Sequence, residues 1–269
     1  MNKNTIISRR TLLALACTPI VSLADNQKEI EHITVTSRHI IYNEQKQAQG
    51  DVNLTDASAW LNSVPGAAVN KNGATSGIAQ YRGLYGDRVA VKLNGLNVLG
   101  AGPNAMDAPM SYVPNNLIDN MSVYRGITPV SAGVDSLGGA IDISLKQAEF
   151  APNSQFESFG QVQLGYNQQG DSRNFAPMVN LAKGDHALLI YGSQQSRDDQ
   201  KTADELAISP SRFDKRLYGM DYQYLLTNGQ VGFAVHSTDT NEAGTPALPM
   251  DVDYIEANRF EFNGDIEWF

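Results

Sequence analysis

The sequence is short of thiols, short of cations and, past its first residues, free of long apolar runs. Each lack closes off a class of function. One cysteine, Cys17, occurs among 269 residues, and it lies inside the N-terminal leader described below. The mature chain then has no thiol, so disulfides, cysteine nucleophiles and thiolate metal ligands are excluded. Lys and Arg total 20 against 29 Asp and Glu, a formal charge of -9. Neutralising phosphates needs clustered cations, so this balance argues against a nucleic-acid partner. Beyond the leader no apolar run approaches the ~20 residues of a membrane-spanning helix, and mean hydropathy is -0.31. That low mean leaves strand-built membrane proteins open, because barrel strands alternate apolar with polar residues. Catalytic signatures are lacking as well. There is no Ser-His-Asp arrangement, no His/Glu pair at metal-ligand spacing and no phosphate loop, and Gly138-Gly139 lacks the strand-to-helix context of a dinucleotide site. The chain is not expected to be an enzyme, and no cofactor is expected.

What is present begins with an export signal at residues 1–24. Lys3, Arg9 and Arg10 are basic, Thr11–Leu23 is apolar, and Ser22-Leu23-Ala24 is a small-x-small cleavage site ending at Ala24. Residues 25–49 form a polar tether with one extended island, Ile33-Thr34-Val35-Thr36-Ser37. Such an island has strand propensity but no partner nearby. It reads either as a template for strand addition to another protein or as an edge strand of the next domain.

Residues 50–149 read as a compact mixed α/β domain. A helical pattern over 54–64, capped by Thr55 or Asp56, is stopped by Pro65-Gly66. The stretch Gln80–Ile143 follows, with β-type runs Val89–Leu93 and Asn120–Tyr124, recurring Arg82-Gly83 and Arg125-Gly126 pairs, and Gly138-Gly139 before a last apolar run. From Phe156 the texture becomes two-residue alternation. In Tyr218-Gly-Met220-Asp-Tyr222-Gln-Tyr224 one face is aromatic or Met and the other is Gly, Asp and Gln. Strands are predicted near 156–167, 175–183, 186–196, 213–226, 230–238 and 258–268. Their connectors alternate long and short, with Asn228-Gly229 a hairpin signal. That alternation marks an outer-membrane barrel, with long external loops and short periplasmic turns.

On these residues the chain resembles TonB-dependent outer-membrane receptors. Glu31-His32-Ile33-Thr34-Val35-Thr36-Ser37 looks like a TonB box, and Leu61–Val69 (LNSVPGAAV) is similar to the family's entry to its plug. Gln80-Tyr81-Arg82-Gly83 with Gly86-Asp87-Arg88-Val89, Ile118–Gly126, and Ser136-Leu137-Gly138-Gly139-Ala140-Ile141 look like its ordered plug elements. Asn94-Gly95 stands where Asp-Gly is usual, which puts some plug-internal ion pairs in doubt. The resemblance implies an α+β plug followed by an antiparallel transmembrane β-barrel, of which residues 150–269 supply about six strands. Six strands cannot close so large a barrel, and an open sheet leaves unsatisfied edges in lipid. The chain is therefore expected to be part of a larger barrel, or else a truncated, non-transporting product acting at most as a binding module.

The resemblance also implies partners and place. These are TonB with its inner-membrane energising complex, outer-membrane lipid of a Gram-negative cell, and a ligand that is a metal chelate of siderophore type or copper. Plug and box would face the periplasm, with Ile33, Thr34, Val35, Thr36 and Ser37 binding TonB. Candidate ligand contacts are Met106, Asp107, Met110 and Tyr112 in a plug-apex loop, and Met250 and Asp251 in the third external loop. Thioethers suit Cu(I), and PNAMDAPMSYV (103–113) looks like the plug loop of the copper-receptor branch. That branch has a Cys a few residues earlier, where this chain has Gly100 and Gly102. Met106 and Met110 read either as tentative copper ligands or as packing residues. Arg82, Arg88 and Arg125 read either as a ligand clamp or as partners of barrel acids. With Gly83, Gly86, Gly126, Gly138 and Gly139 they are assigned to plug architecture, and His186 and His236 are read as structural.

Overall fold

The structure is a computed structural model and describes residues 57–73, 77–100, 102, 105–125, 136–248 and 251–267. The cleavage site at Ala24, the box Ile33–Ser37, the helix cap at Thr55 or Asp56, Gly126 and Met250 lie outside the described residues.

The first described element is a 3-10 helix, Ala57–Ser63, that buries Ala57, Ser58 and Leu61. The sequence pattern predicts an α-helix here. Seven residues stopped by Pro65-Gly66 give too few hydrogen bonds to repay α-helix nucleation, and the tighter 3-10 turn is what short pieces use. Two small sheets follow. One runs β1 (Ala67–Lys71), β2 (Gly77–Tyr81) and β3 (Leu84–Tyr85), all antiparallel. The other is built of β4 (Ala90–Leu93), β5 (Leu96–Asn97), β6 (Ile118–Arg125) and β7 (Gly139–Leu145), in spatial order β5-β4-β7-β6. Its centre is the parallel pair β4/β7, which sets Val91 beside Ile141 and Leu93 beside Ile143. All four are buried, as is usual for parallel strands covered on both faces.

Asn94-Gly95 forms the two-residue turn between β4 and β5, with φ of +51° and +77°. Asn-Gly is favoured in that double left-handed turn because both residues tolerate positive φ. Gly138 is required for a different reason. A Cβ there would lie 2.6 Å from the Arg88 carbonyl oxygen, to which the Gly138 N–H donates at 2.8 Å.

The rest is a six-stranded antiparallel sheet of β8 (Glu157–Asn167), β9 (Ser172–Lys183), β10 (His186–Arg197), β13 (Phe213–Leu226), β14 (Gly229–Ala243) and β15 (Val252–Ile266). A ribbon of β11 (Gln200–Lys201) and β12 (Ala207–Ile208) sits inside the connector 198–212. Ile190, Tyr218, Met220, Tyr222, Phe260 and Phe262 are exposed on one face, while Leu189, Tyr191, Asp221, Gln223 and Glu261 are buried on the other. Met178, Ala182, Ala187, Leu189 and Tyr191 of that buried face join one apolar cluster with the plug residues Leu61, Leu93, Met110 and Ile143. The plug therefore lies against the inward face of the sheet. Among the described residues no helix is long and apolar enough to cross a membrane.

The strands begin and end differently from expectation. β9 starts at Ser172, β14 runs on to Ala243 and β15 starts at Val252. The connectors shrink to 168–171, 198–212 and 244–251 on one end of the sheet, against 184–185 and 227–228 on the other. The long-short alternation survives in weaker form. The tight turn after β13 is Thr227-Asn228, with Leu226 opposite Gly229. Gly229 has left the turn centre for the first pair of the strand, where a Cβ would come 2.0 Å from the Asp265 carbonyl oxygen.

Candidate functional site

The loop between β5 and β6 carries the expected ligand contacts, and it meets the sheet at its long-connector end. Met106 is buried against Phe213, Ala243 and Val252, which start β13, end β14 and start β15. The loop therefore lies at the end of the sheet that carries connectors 168–171, 198–212 and 244–251. Its interior is tied by Asp107, itself buried. One carboxylate oxygen accepts the Gly102 N–H at 2.8 Å, and the other accepts the Tyr112 hydroxyl at 2.7 Å. Burial, and then this bond, push the Tyr112 phenol well above its ordinary value.

Gly100 and Gly102 are packed on the same carboxyl residue. A Cβ at 100 would fall 2.9 Å from the Asp107 carbonyl oxygen, and one at 102 would fall 2.8 Å from its Oδ1. A side chain at either place needs Asp107 to move. Met110 is fully buried in the plug cluster with Leu117 and Ile118, apart from the Met106 cluster. The two thioethers occupy separate apolar sites. Among the described residues no group of three or more His, Cys, Asp or Glu side chains converges as a metal site.

The described part of connector 244–251 meets the plug at residues 72 and 73. Asp251 Oδ1 accepts the Thr245 N–H at 3.1 Å, and Thr245 is fully buried. The Ala247 N–H donates to the Asn72 carbonyl at 3.5 Å, and Gly73 abuts Gly244 so closely that a Cβ would lie 2.5 Å from its oxygen. Asp107, Tyr112 and Asp251 thus act on their own loops and set their shape.

Of the three arginines, Arg82 and Arg88 have described side chains. The side chains of Arg82 and Arg88 are exposed, and the Arg82 guanidinium lies 5.5 Å over the neighbouring Tyr81 ring. The Arg88 carbonyl, rather than its side chain, is the joint: it accepts the Ser136 hydroxyl at 2.5 Å as well as Gly138 N–H. Arg125 ends β6.

A polar layer joins plug to wall. The Ala148 N–H donates to Asp221 at 2.8 Å, and Asn180 exchanges two hydrogen bonds with the backbone of Glu149 at 3.0 and 2.8 Å. Asn116 donates to the Gly192 carbonyl at 3.4 Å. Lys215, 1% exposed, donates to the Ser111 carbonyl. Asn94 Nδ2 donates to Glu261 Oε2 at 2.8 Å. Around Glu261 stand Arg259, with Nε at 2.5 Å, and His236, with Nε2 at 3.6 Å. His236 Nδ1 is hydrogen-bonded to the Tyr191 hydroxyl. The other strand histidine, His186, is exposed and packs on Tyr222 and Tyr224.

Sequence reasoning missed the wall half of this layer. Its signal was available in the alternation: Asp221 sits between Met220 and Tyr222, and Glu261 between Phe260 and Phe262. Each is a carboxylate on the inward face between outward apolar residues.

A family model described as the TonB-dependent Receptor Plug Domain matches residues 32–140. Among solved structures, the chain is similar to the copper transporter OprC, at TM-score 0.71 and 23% identity, over 78% of this chain and 32% of that one. It is also similar to the ferric enterobactin receptor PfeA of Pseudomonas aeruginosa, at TM-score 0.58 and 15% identity, over 83% of this chain and 37% of that one. A further match is the FrpB iron transporter of Neisseria meningitidis, at TM-score 0.54 and 16% identity, over 69% and 29%. At such identities the likeness is one of fold. The chain spans about a third of the length of the first two. No curated protein matches it by sequence.

Proposed function

We propose that the protein belongs to an outer-membrane uptake receptor for a metal-containing solute, a reading supported by the plug-domain model that matches residues 32–140 and by the fold likeness of the following strands to a receptor barrel. The observation that carries this reading is the contact layer between plug and wall. Apart from two shared apolar patches, the plug meets the sheet through scattered hydrogen bonds that involve Asn94, Asn116, Ser111, Ala148 and Glu149. Net hydrogen bonds contribute roughly 0.5–1.5 kcal/mol each, so such a layer can be parted by a pull and remade. The pull comes through Ile33–Ser37. These residues add as a strand to TonB in the periplasm, and TonB is driven by the inner-membrane energising complex.

The ligand is proposed to be a metal chelate of siderophore type. It meets the exposed side of the apex loop and the connectors 168–171, 198–212 and 244–251. Asp107, Tyr112 and Asp251 shape these loops from within. Copper is the second reading, favoured by the likeness to a copper transporter. Against a two-thioether copper site stand the separate burial of Met106 and Met110 and the closed space at Gly100 and Gly102. Growth of a deletion strain on iron-limited medium, with and without added siderophores, and on copper-limited medium tests both. A defect with a particular siderophore as iron source is expected. A defect confined to copper limitation selects the second reading, and no defect in any medium removes both.

A further inference from the structure

We propose that the hydrogen bond from Asn94 to Glu261 is a matched latch between plug and barrel wall, and that the asparagine is required because its partner is a carboxylate. Asn94 uses both ends of its amide. Its Oδ1 accepts the Leu145 N–H at 2.8 Å, which fastens the β4–β5 turn to β7 inside the plug. Its Nδ2 donates to Glu261 Oε2 at 2.8 Å, which fastens the same turn to β15 of the wall. An ionised carboxylate, which only accepts, cannot do both. An aspartate would keep the Leu145 bond and tolerate the left-handed backbone, since Asn and Asp both adopt φ near +51°. It would, however, set a second carboxylate against Glu261, which is 5% exposed. Two carboxylates in contact at a buried site repel strongly.

The other oxygen of Glu261 lies within ion-pair distance of Arg259, at 2.5 Å, and 3.6 Å from His236 Nε2, without a hydrogen bond to either. It is a fixed acceptor that the turn must match. The turn also has room to move. Beside the bond lies a cavity of about 630 Å3 lined by Asn94, Asp119, Lys146, Glu149, Glu261 and Asn263, among others. The latch is therefore a directional contact at the rim of a space, which a pull on the plug can open without first unpacking the core. Its part in uptake rests on the function proposed above; its existence does not.

The test is a reciprocal exchange, Asn94→Asp and Glu261→Gln, singly and together, in the full chain purified from outer membranes without ligand. Hydrogen exchange of the peptides covering 90–97 and 139–149 is the readout. Asn94→Asp accelerates exchange roughly tenfold to a hundredfold, the range for a lost hydrogen bond to a charged group. Glu261→Gln alone also accelerates exchange, because a carbonyl that accepts from Asn94 leaves the amide NH2 facing Arg259 and removes the ion pair there. The double variant returns to near wild type, because the amide introduced on the wall now donates to the carboxylate introduced on the turn. Should Asn94→Asp fail to accumulate in the membrane, recovery of its yield by Glu261→Gln reports the same rescue. Equal effects of Asn94→Asp with and without Glu261→Gln, or no acceleration at all, overturn the latch. This readout needs no ligand, so it is independent of the growth assays that decide the uptake reading.

Discussion

Replacing Met106 and Met110 by leucine separates packing from metal binding, because leucine keeps the volume and removes the sulfur. Met106 is 4% exposed and rests on Phe213, Ala243 and Val252; Met110 is 0% exposed within the plug cluster. At such sites a volume-conserving swap costs less than about 1.5 kcal/mol, whereas truncation to alanine costs about 2–5 kcal/mol. Met106→Leu with Met110→Leu should therefore insert normally and retain uptake. Met106→Ala should lower stability by about 2 kcal/mol or more. It should also raise hydrogen exchange in connector 244–251, since Ala243 and Val252 flank that connector and share the cluster. Urea unfolding of the extracted protein, exchange in the connector and growth under metal limitation are the assays. A leucine double variant that is folded and inserted yet has lost uptake would refute the packing assignment and return the thioethers to a ligand role. So would an alanine variant that costs less than about 0.5 kcal/mol, far under the range for a truncated core methionine.

Two further outcomes follow from single contacts. Gly138→Ala sets a methyl 2.6 Å from the Arg88 carbonyl oxygen. It should destabilise the plug by about 1–3 kcal/mol through overpacking, read as a lower urea midpoint with the barrel transition unchanged. Asp199 is held below the ordinary carboxylate range, first by the N–H of Ser211 and also by that of Arg212, at 2.7 and 2.9 Å. A depressed folded value means the stabilisation is complete above the unfolded value of about 3.9 and is lost as pH falls through the lower folded one. Exchange protection of Ser211 and Arg212 should hold at neutral pH, fall in acid, and be weakened at all pH values by Asp199→Ala.

What was legible in the sequence was whatever depends on near neighbours. The inward and outward faces of β13 could be read from Tyr218 to Tyr224, because a strand displays its two faces in alternate residues. The Asn94-Gly95 turn could be read because its positive φ values are a local need; the need for Gly138, a contact with the sequence-distant Arg88 carbonyl, could not. Strand ends were not legible. Thr238, Asp239, Thr240, Asn241 and Glu242 carry no apolar period, yet Thr238 to Asn241 continue the ladder to Ala257, Glu256, Ile255 and Tyr254. Pairing outside the apolar band is fixed by the partner strand, not by hydrophobic pattern. The Asn228-Gly229 signal was right about a tight turn and one residue off in its position.

The candidate site was legible only in part. The sequence placed Met106 in an apex loop but could not show that it reaches across to Phe213 and Val252. Asn94 stood out as a departure from Asp-Gly. Its meaning needed Glu261, 167 residues further along the chain, and no local pattern connects the two.

A plug seated in a barrel wall and pulled from its tether, as proposed, is tested by Val35→Pro in the full-length protein. Proline removes one N–H and restricts the preceding residue, so the strand addition proposed for Ile33–Ser37 should fail while the plug and the connectors 168–171, 198–212 and 244–251 keep their sequence. Surface binding and energy-dependent uptake of the labelled ligand, measured side by side in the same cells, give the answer. Binding retained and uptake abolished is the expected result; uptake that continues at the wild-type rate would refute a plug pulled through Ile33–Ser37.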